Sequence, residues 1–138
     1  MNGKNIHKNL LNIYLWKNDF FLRRIKDNKY IFIDSTFHVP KGFYQFFICI
    51  YYDDIIKRKI PGIFVIMNSK IEEGYDIIFQ NIKELLDLGQ NKYNFDFETI
   101  TTYNEKGLIY SITKNFPKVT RVACYYYYKN NIQKIKGF

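Results

Sequence analysis

The chain has 138 residues, a formal net charge of +8 and 47% hydrophobic content, enough for one domain with a real core. No apolar run approaches the roughly 20 residues that cross a bilayer, and Ile48-Cys49-Ile50-Tyr51-Tyr52 stops at Asp53-Asp54. Met1-Asn2-Gly3-Lys4-Asn5-Ile6 lacks the apolar stretch of a secretory signal, and two cysteines 75 positions apart make no disulfide framework, so a reduced intracellular compartment is expected.

Ile13 to Trp16 is predicted as a short strand. Asn18 or Asp19 then caps a helix with Phe21, Leu22 and Ile25 on one face and Arg23, Arg24 and Lys26 on the other, which makes residues 1–29 a strand-helix lead-in. Tyr30 to Ile33 is an apolar run of strand length, rich in β-formers. The Pro40-Lys41-Gly42 turn leads into a second strand, Phe43 to Tyr52. Asp53-Asp54 and Lys57-Arg58-Lys59 mark the next turn, and Ile60 to Ile66 is a third strand, with Pro61 expected at its start because Pro brings no ladder N–H.

The period then changes. Ser69-Lys70-Ile71-Glu72 reads as a capping box, and Ile71, Tyr75, Ile78, Ile82 and Leu85 recur at helical spacing as far as Leu86, with Gly89 as the stop. Thr99 to Thr102 is a short strand. Thr102-Tyr103-Asn104-Glu105 reads as a second capping box, opening a helix with Leu108, Ile112 and Phe116 on one face. Val119 to Ala123 is a fifth strand, and Tyr125, Tyr128, Ile132 and Ile135 line one side of a closing basic helix.

Three antiparallel strands, then helix, strand, helix, strand and helix, is the order of an RNase H-like (retroviral integrase-like) domain. This predicts an α/β fold with a mixed five-stranded sheet flanked by helices, spanning residues 1–138 as one domain without repeats or linkers. Right-handed crossovers bring the C-terminal ends of its first and fourth strands side by side.

At that edge stands Ile33-Asp34-Ser35-Thr36-Phe37, followed by Pro40-Lys41-Gly42-Phe43-Tyr44-Gln45. The stretch resembles the first catalytic strand of the Mutator-like (MULE) transposase domain, which has Asp-Gly-Thr-Phe and then a Pro-Lys-Gly-Phe-Tyr-Gln-like segment; Ser35 replaces the Gly. Ile60-Pro61 through Met67-Asn68-Ser69-Lys70, then Glu72, Glu73, Tyr75 and Phe79, resemble the family's third strand and following helix. The family's Thr-Asp-Phe-Glu motif has its Asp 13 residues before the Phe of a Phe-Pro pair. Counting back from Phe116-Pro117 lands on Tyr103, so Thr102-Tyr103-Asn104-Glu105 aligns with that motif. Cys124-Tyr125-Tyr126-Tyr127 aligns with the family's Cys-x-x-His, with Tyr127 at the His position. The resemblance spans roughly residues 30–137.

It implies DNA cleavage and strand transfer by two divalent cations, Mg²⁺ or Mn²⁺, about 3.5–4 Å apart between carboxylates. Asp34 falls at the first ligand position. Tyr103 falls at the second and offers a neutral phenol where the metals need an anion. The family's third acid lies beyond position 138, so the chain is expected to end before it. The implied reading is a catalytically inactive, nuclear copy in which Asp34 alone holds metal weakly, with DNA and the rest of a longer transposase as partners and no membrane. Two alternatives remain open: a domesticated DNA-binding or protein-interaction module, and an active nuclease using Asp34 and Asp96, which lies 20 residues before Phe116. Glu105 is a further substitute ligand beside its capping role.

Net charge is +5 over residues 1–30, −3 over 31–103 and +6 over 104–138, so Lys129, Lys134 and Lys136 are the expected phosphate contacts. An A+T-rich genome would impose the same Lys, Asn, Ile, Tyr and Phe abundance on any protein. Tyr125 to Tyr128 could stack bases or half-bury in the core. Cys124 has no zinc partners at ligand spacing, and Cys49 in an apolar strand reads as buried.

Overall fold

A computed structural model describes residues 2–8, 10–20, 24, 30–87 and 98–123. Its elements in chain order are β1 (Asn2–Lys8), β2 (Leu11–Lys17), β3 (Tyr30–Thr36), β4 (Gln45–Asp53), β5 (Arg58–Met67), α1 (Glu72–Asp87), β6 (Thr99–Thr102), α2 (Lys106–Asn115) and β7 (Thr120–Ala123). The strands form one sheet in the order β1-β2-β5-β4-β3-β6-β7. β1 through β3 pair antiparallel along that order, while β3-β6 and β6-β7 are parallel.

The sheet therefore has seven strands where five were expected, and it is mostly antiparallel. The lead-in accounts for the difference: β2 pairs with β5, and β1 folds back on β2. Asn18 Oδ1 accepts the Phe20 N–H at 2.9 Å, the bond an N-cap makes. Phe21, Leu22 and Ile25 lie outside the described residues, as do Gly89 and the predicted C-terminal helix.

Alternation sets the layers. Along β4 every second residue is buried, and Phe47, Cys49 and Tyr51 join Leu11, Ile13, Leu15, Ile31, Ile33, Ile63, Val65 and Met67 on one face of the sheet. Against that face pack Tyr75, Ile78, Phe79 and Ile82 of α1 with Leu108 and Ile112 of α2. The Cys49 thiol sits in this core, and burial pushes its pKa up to about 12, so it is unreactive. The other face carries Tyr14, Trp16, Phe46, Ile48, Phe64 and Ile66, all half-buried. There the Tyr14 and Trp16 rings stack at 6.5 Å, as do Phe46 and Phe64 at 6.1 Å. No described helix is long and apolar enough to cross a membrane.

Two local expectations are corrected. Pro61 lies inside β5, opposite Ile50 where the β4-β5 register shifts; β2 reaches only to Ile63, so the missing N–H breaks no β2 ladder bond. Thr102 does not cap α2. The strand runs through it, Arg121 Nε donates to its hydroxyl at 3.0 Å, and the N-cap position falls on Glu105, which makes no side-chain capping bond. At α1 the Ser69 hydroxyl accepts the Ile71 N–H at 3.1 Å, just ahead of the helix. Gly42, at φ 94°, occupies the left-handed region in the turn before β4, where a Cβ would be strained.

Candidate functional site

β3 and β6 run in parallel with Tyr30 opposite Thr99 and Phe32 opposite Thr101. Continuing that register sets Asp34 level with Tyr103, at the same end of neighbouring strands. Their side chains take different sides of the sheet. Ile31 and Ile33 of β3 are buried under the helices, so Asp34 projects to the opposite face, exposed and paired with Ile48 of β4. Its Oδ1 accepts the Ser35 N–H at 2.8 Å. Asp34 is also an interior residue of β3, which runs on to Thr36.

Ser35 turns toward the helices and opens a polar network. Its hydroxyl donates to Gln45 Oε1 at 2.8 Å, and the Tyr103 phenol donates to the same oxygen at 2.8 Å. Gln45 is completely buried at the start of β4; its Nε2 lies 2.6 Å from the Tyr75 hydroxyl, 3.1 Å from the Ser69 carbonyl and 3.4 Å from Met67 Sδ. Tyr75, on α1, donates in turn to Glu105 Oε1 at 2.6 Å. Two hydroxyls on the amide oxygen and acceptors around the amide nitrogen satisfy this buried side chain, as burial demands.

The charges follow from this packing. Burial drives the Tyr75 pKa far above the usual phenol range, with Tyr103 next to it adding to the effect, so Tyr75 is a permanent donor. Burial also raises the Glu105 pKa, while the Tyr75 hydrogen bond and the Lys70 charge pull it back in part. Arg121 clasps the exit of β6, with its guanidinium 3.0 Å from the Tyr103 carbonyl and 2.6 Å from Asn104 Oδ1.

Such an arrangement can fasten β3, β4, β6 and the start of α1 together. It is poorly constituted for two hard cations. Tyr103 is 4% exposed and donates its hydrogen bond to Gln45, Glu105 accepts the Tyr75 hydrogen bond, and Asp34 lies on the other face. Among the described residues, no three of His, Cys, Asp and Glu come together as a ligand set. The described side chains therefore do not fit a two-metal centre. Asp96, Cys124, Tyr127, Lys129, Lys134 and Lys136 lie outside the described residues.

Sequence reasoning quoted Gln45 and Tyr75 but assigned them no role. A signal was present: Tyr75 is the one hydroxyl-bearing residue in the apolar stripe of α1, and a buried phenol requires a partner.

Comparison with protein families bears directly on this edge of the sheet. Residues 30–131 match the family model for the MULE transposase domain, a span that begins with β3 and runs past β7 into residues outside the described ones. The match takes in well over half of the 138 residues, and the chain belongs to the MULE transposase domain family. A comparison with curated proteins finds no match.

Proposed function

We propose that this chain is the RNase H-like domain of a Mutator-like DNA transposon, in a copy that no longer cleaves DNA. Membership of the family supports the transposase origin and, with it, a nuclear place of action and contact with DNA. The sub-order β5-β4-β3-β6-β7, with its two parallel pairings, supports the RNase H-like reading; β1 and β2 extend that core. The observation that carries the loss of activity is Tyr103: its buried phenol donates to Gln45 at the position where the motif alignment puts the second carboxylate. Mg²⁺ or Mn²⁺ is the family's expected cofactor, and Asp34 alone is a weak ligand.

A supercoiled-plasmid nicking assay with Mn²⁺ tests this. The chain should nick no faster than its Asp34→Asn variant. Nicking abolished by Asp34→Asn would overturn the reading, and if Asp96→Asn abolished it too, the nuclease alternative would take its place. The apolar sheet face of Trp16, Phe46, Ile48 and Phe64 favours a second reading, a domesticated interaction module that kept the scaffold.

A further inference from the structure

The β4-β5 hairpin tip, at the end of the sheet away from Asp34, is built in a way that turn formation alone does not require. Ile55 is 80% exposed and Ile56 52% exposed, adjacent β-branched residues where turns ordinarily carry Gly, Asn or Asp. Lys57 follows at φ 57°, a left-handed conformation that a side chain rarely adopts. The buried Asp53 holds the tip in shape, its Oδ1 accepting the Ile55 N–H at 2.9 Å and the Ile56 N–H at 3.2 Å. Lys57, Arg58 and Lys59 are exposed directly behind the pair, and the Lys59 ammonium rests 4.5 Å from the centroid of the Phe32 ring. A single exposed isoleucine is ordinary, but two on a turn fixed by Asp53 and backed by three cations form a presented patch.

We infer that this hairpin tip is a duplex-DNA contact, in which Ile55 and Ile56 wedge against a base step from the minor groove while Lys57, Arg58 and Lys59 hold the flanking phosphates. The inference rests on the DNA-binding part of the proposed function and assigns that contact to a site other than the C-terminal lysines. Apolar wedges that partly unstack a step belong to minor-groove binders, and each phosphate neutralised releases counterions. Asp54, exposed at the tip, opposes the contact.

The test uses the full chain, a fluorescent mixed-sequence duplex of about 30 base pairs, and vesicles with and without anionic lipid. Wild type should bind the duplex with a steep salt dependence. Replacing Lys57, Arg58 and Lys59 together by Gln should flatten the log-log salt slope by about 2 to 3. Ile55→Ala with Ile56→Ala should weaken binding about tenfold, leave the salt slope unchanged and abolish the end-to-end FRET change that reports bending. Asp54→Asn should tighten binding. All six residues of these variants are surface groups, so melting temperatures should stay near wild type. Wild-type binding that none of the hairpin variants alters would overturn this inference and leave the DNA reading standing. Failure of wild type to bind duplex at low salt would overturn both, and preference for anionic vesicles would assign the tip to a lipid surface instead.

Discussion

Asp76 and Glu105 both face the junction of α1 and α2, and burial pushes the pKa of each upward, yet one ends below its ordinary value and the other above. Asp76 is taken up by three donors from α2: the Ser111 hydroxyl, the Lys114 ammonium at 2.9 Å and the Asn115 amide at 3.0 Å. They outweigh burial and hold its pKa below the ordinary value. Glu105 receives one phenol, from Tyr75, and feels Lys70 only as a nearby charge, so burial wins and its pKa rises. The sign of a buried carboxylate's shift is decided by how many donors the neighbouring helix turns toward it. Asp76 is thus a tie between helices, and Glu105 a half-satisfied end to the Gln45 network.

That network should be the costlier of the two regions to break. Gln45→Leu leaves Ser35, Tyr75 and Tyr103 without their shared partner in a buried site, and a loss of about 3 kcal/mol is expected by urea unfolding. Tyr103→Phe removes one of two donors to Gln45 Oε1 and should cost about 1 kcal/mol. Equal losses for the two variants would show that the amide is not the hub. Next in size comes the junction itself, where the start of α2 abuts the start of α1. A Cβ on Gly107 would stand 2.8 Å from the Lys70 carbonyl and 3.0 Å from the Glu72 nitrogen, backbone atoms that cannot swing away. Gly107→Ala should cost about 2 kcal/mol despite alanine's better helix propensity. At Gly74 the new Cβ meets the flexible Met67 methyl at 2.9 Å and Leu11 Cδ2 at an ordinary 3.8 Å, so Gly74→Ala should be close to neutral in the same measurement.

The contrast between these regions also marks what a sequence can carry. Periodicity located α1 and the bounds of β6, because the burial of Ile78, Ile82 and Ile100 is written locally. It missed β1, whose Asn-Gly-Lys-Asn-Ile-His-Lys run has only Ile6 against the core; pairing with β2 makes that strand, and pairing leaves no apolar signature. Thr102-x-x-Glu105 matched a capping box in residue types, but the Arg121 contact and the β6 ladder take Thr102 out of that role. The Gln45 hub was unreadable for a different reason. Its partners come from β3, α1 and the β6-α2 connection, and no spacing rule links positions 35, 45, 75 and 103. The family motif did align Asp34 with Tyr103, and the β3-β6 register sets them level, yet side-chain direction put one on each side of the sheet.

A smaller effect separates the two carboxylates directly. Asp76→Asn keeps the shape but removes the charge that Lys114 and the two neutral donors hold. The Lys114 ammonium is well exposed, so the ion pair itself is screened and a loss of about 1 kcal/mol is expected at neutral pH. Because the folded-state pKa of Asp76 is depressed, its contribution is present above the unfolded value and disappears as pH falls through the folded one. Wild type and Asp76→Asn should therefore converge in stability at strongly acidic pH. A difference that persists there would mean that the asparagine fails in packing, with the charge irrelevant.

Glu105 should show the reverse slope. Its folded-state pKa is raised, so protonation favours the folded state: stability is lowest once the group is ionised and grows as pH falls through the raised value toward the unfolded one. Wild type should gain a little stability on mild acidification before the loss of Asp76 ionisation reverses the trend. Glu105→Gln keeps an acceptor for the Tyr75 hydroxyl without a charge to bury, and it should erase that initial gain while stabilising the protein slightly at neutral pH. Partial exposure and Lys70 limit the effect to well under about 1 kcal/mol, so the slope of melting temperature against pH reads it better than any single midpoint. A wild-type curve that falls steadily from neutral pH, unchanged in Glu105→Gln, would mean that Lys70 and Tyr75 fully satisfy the carboxylate, and the distinction between the two regions would vanish.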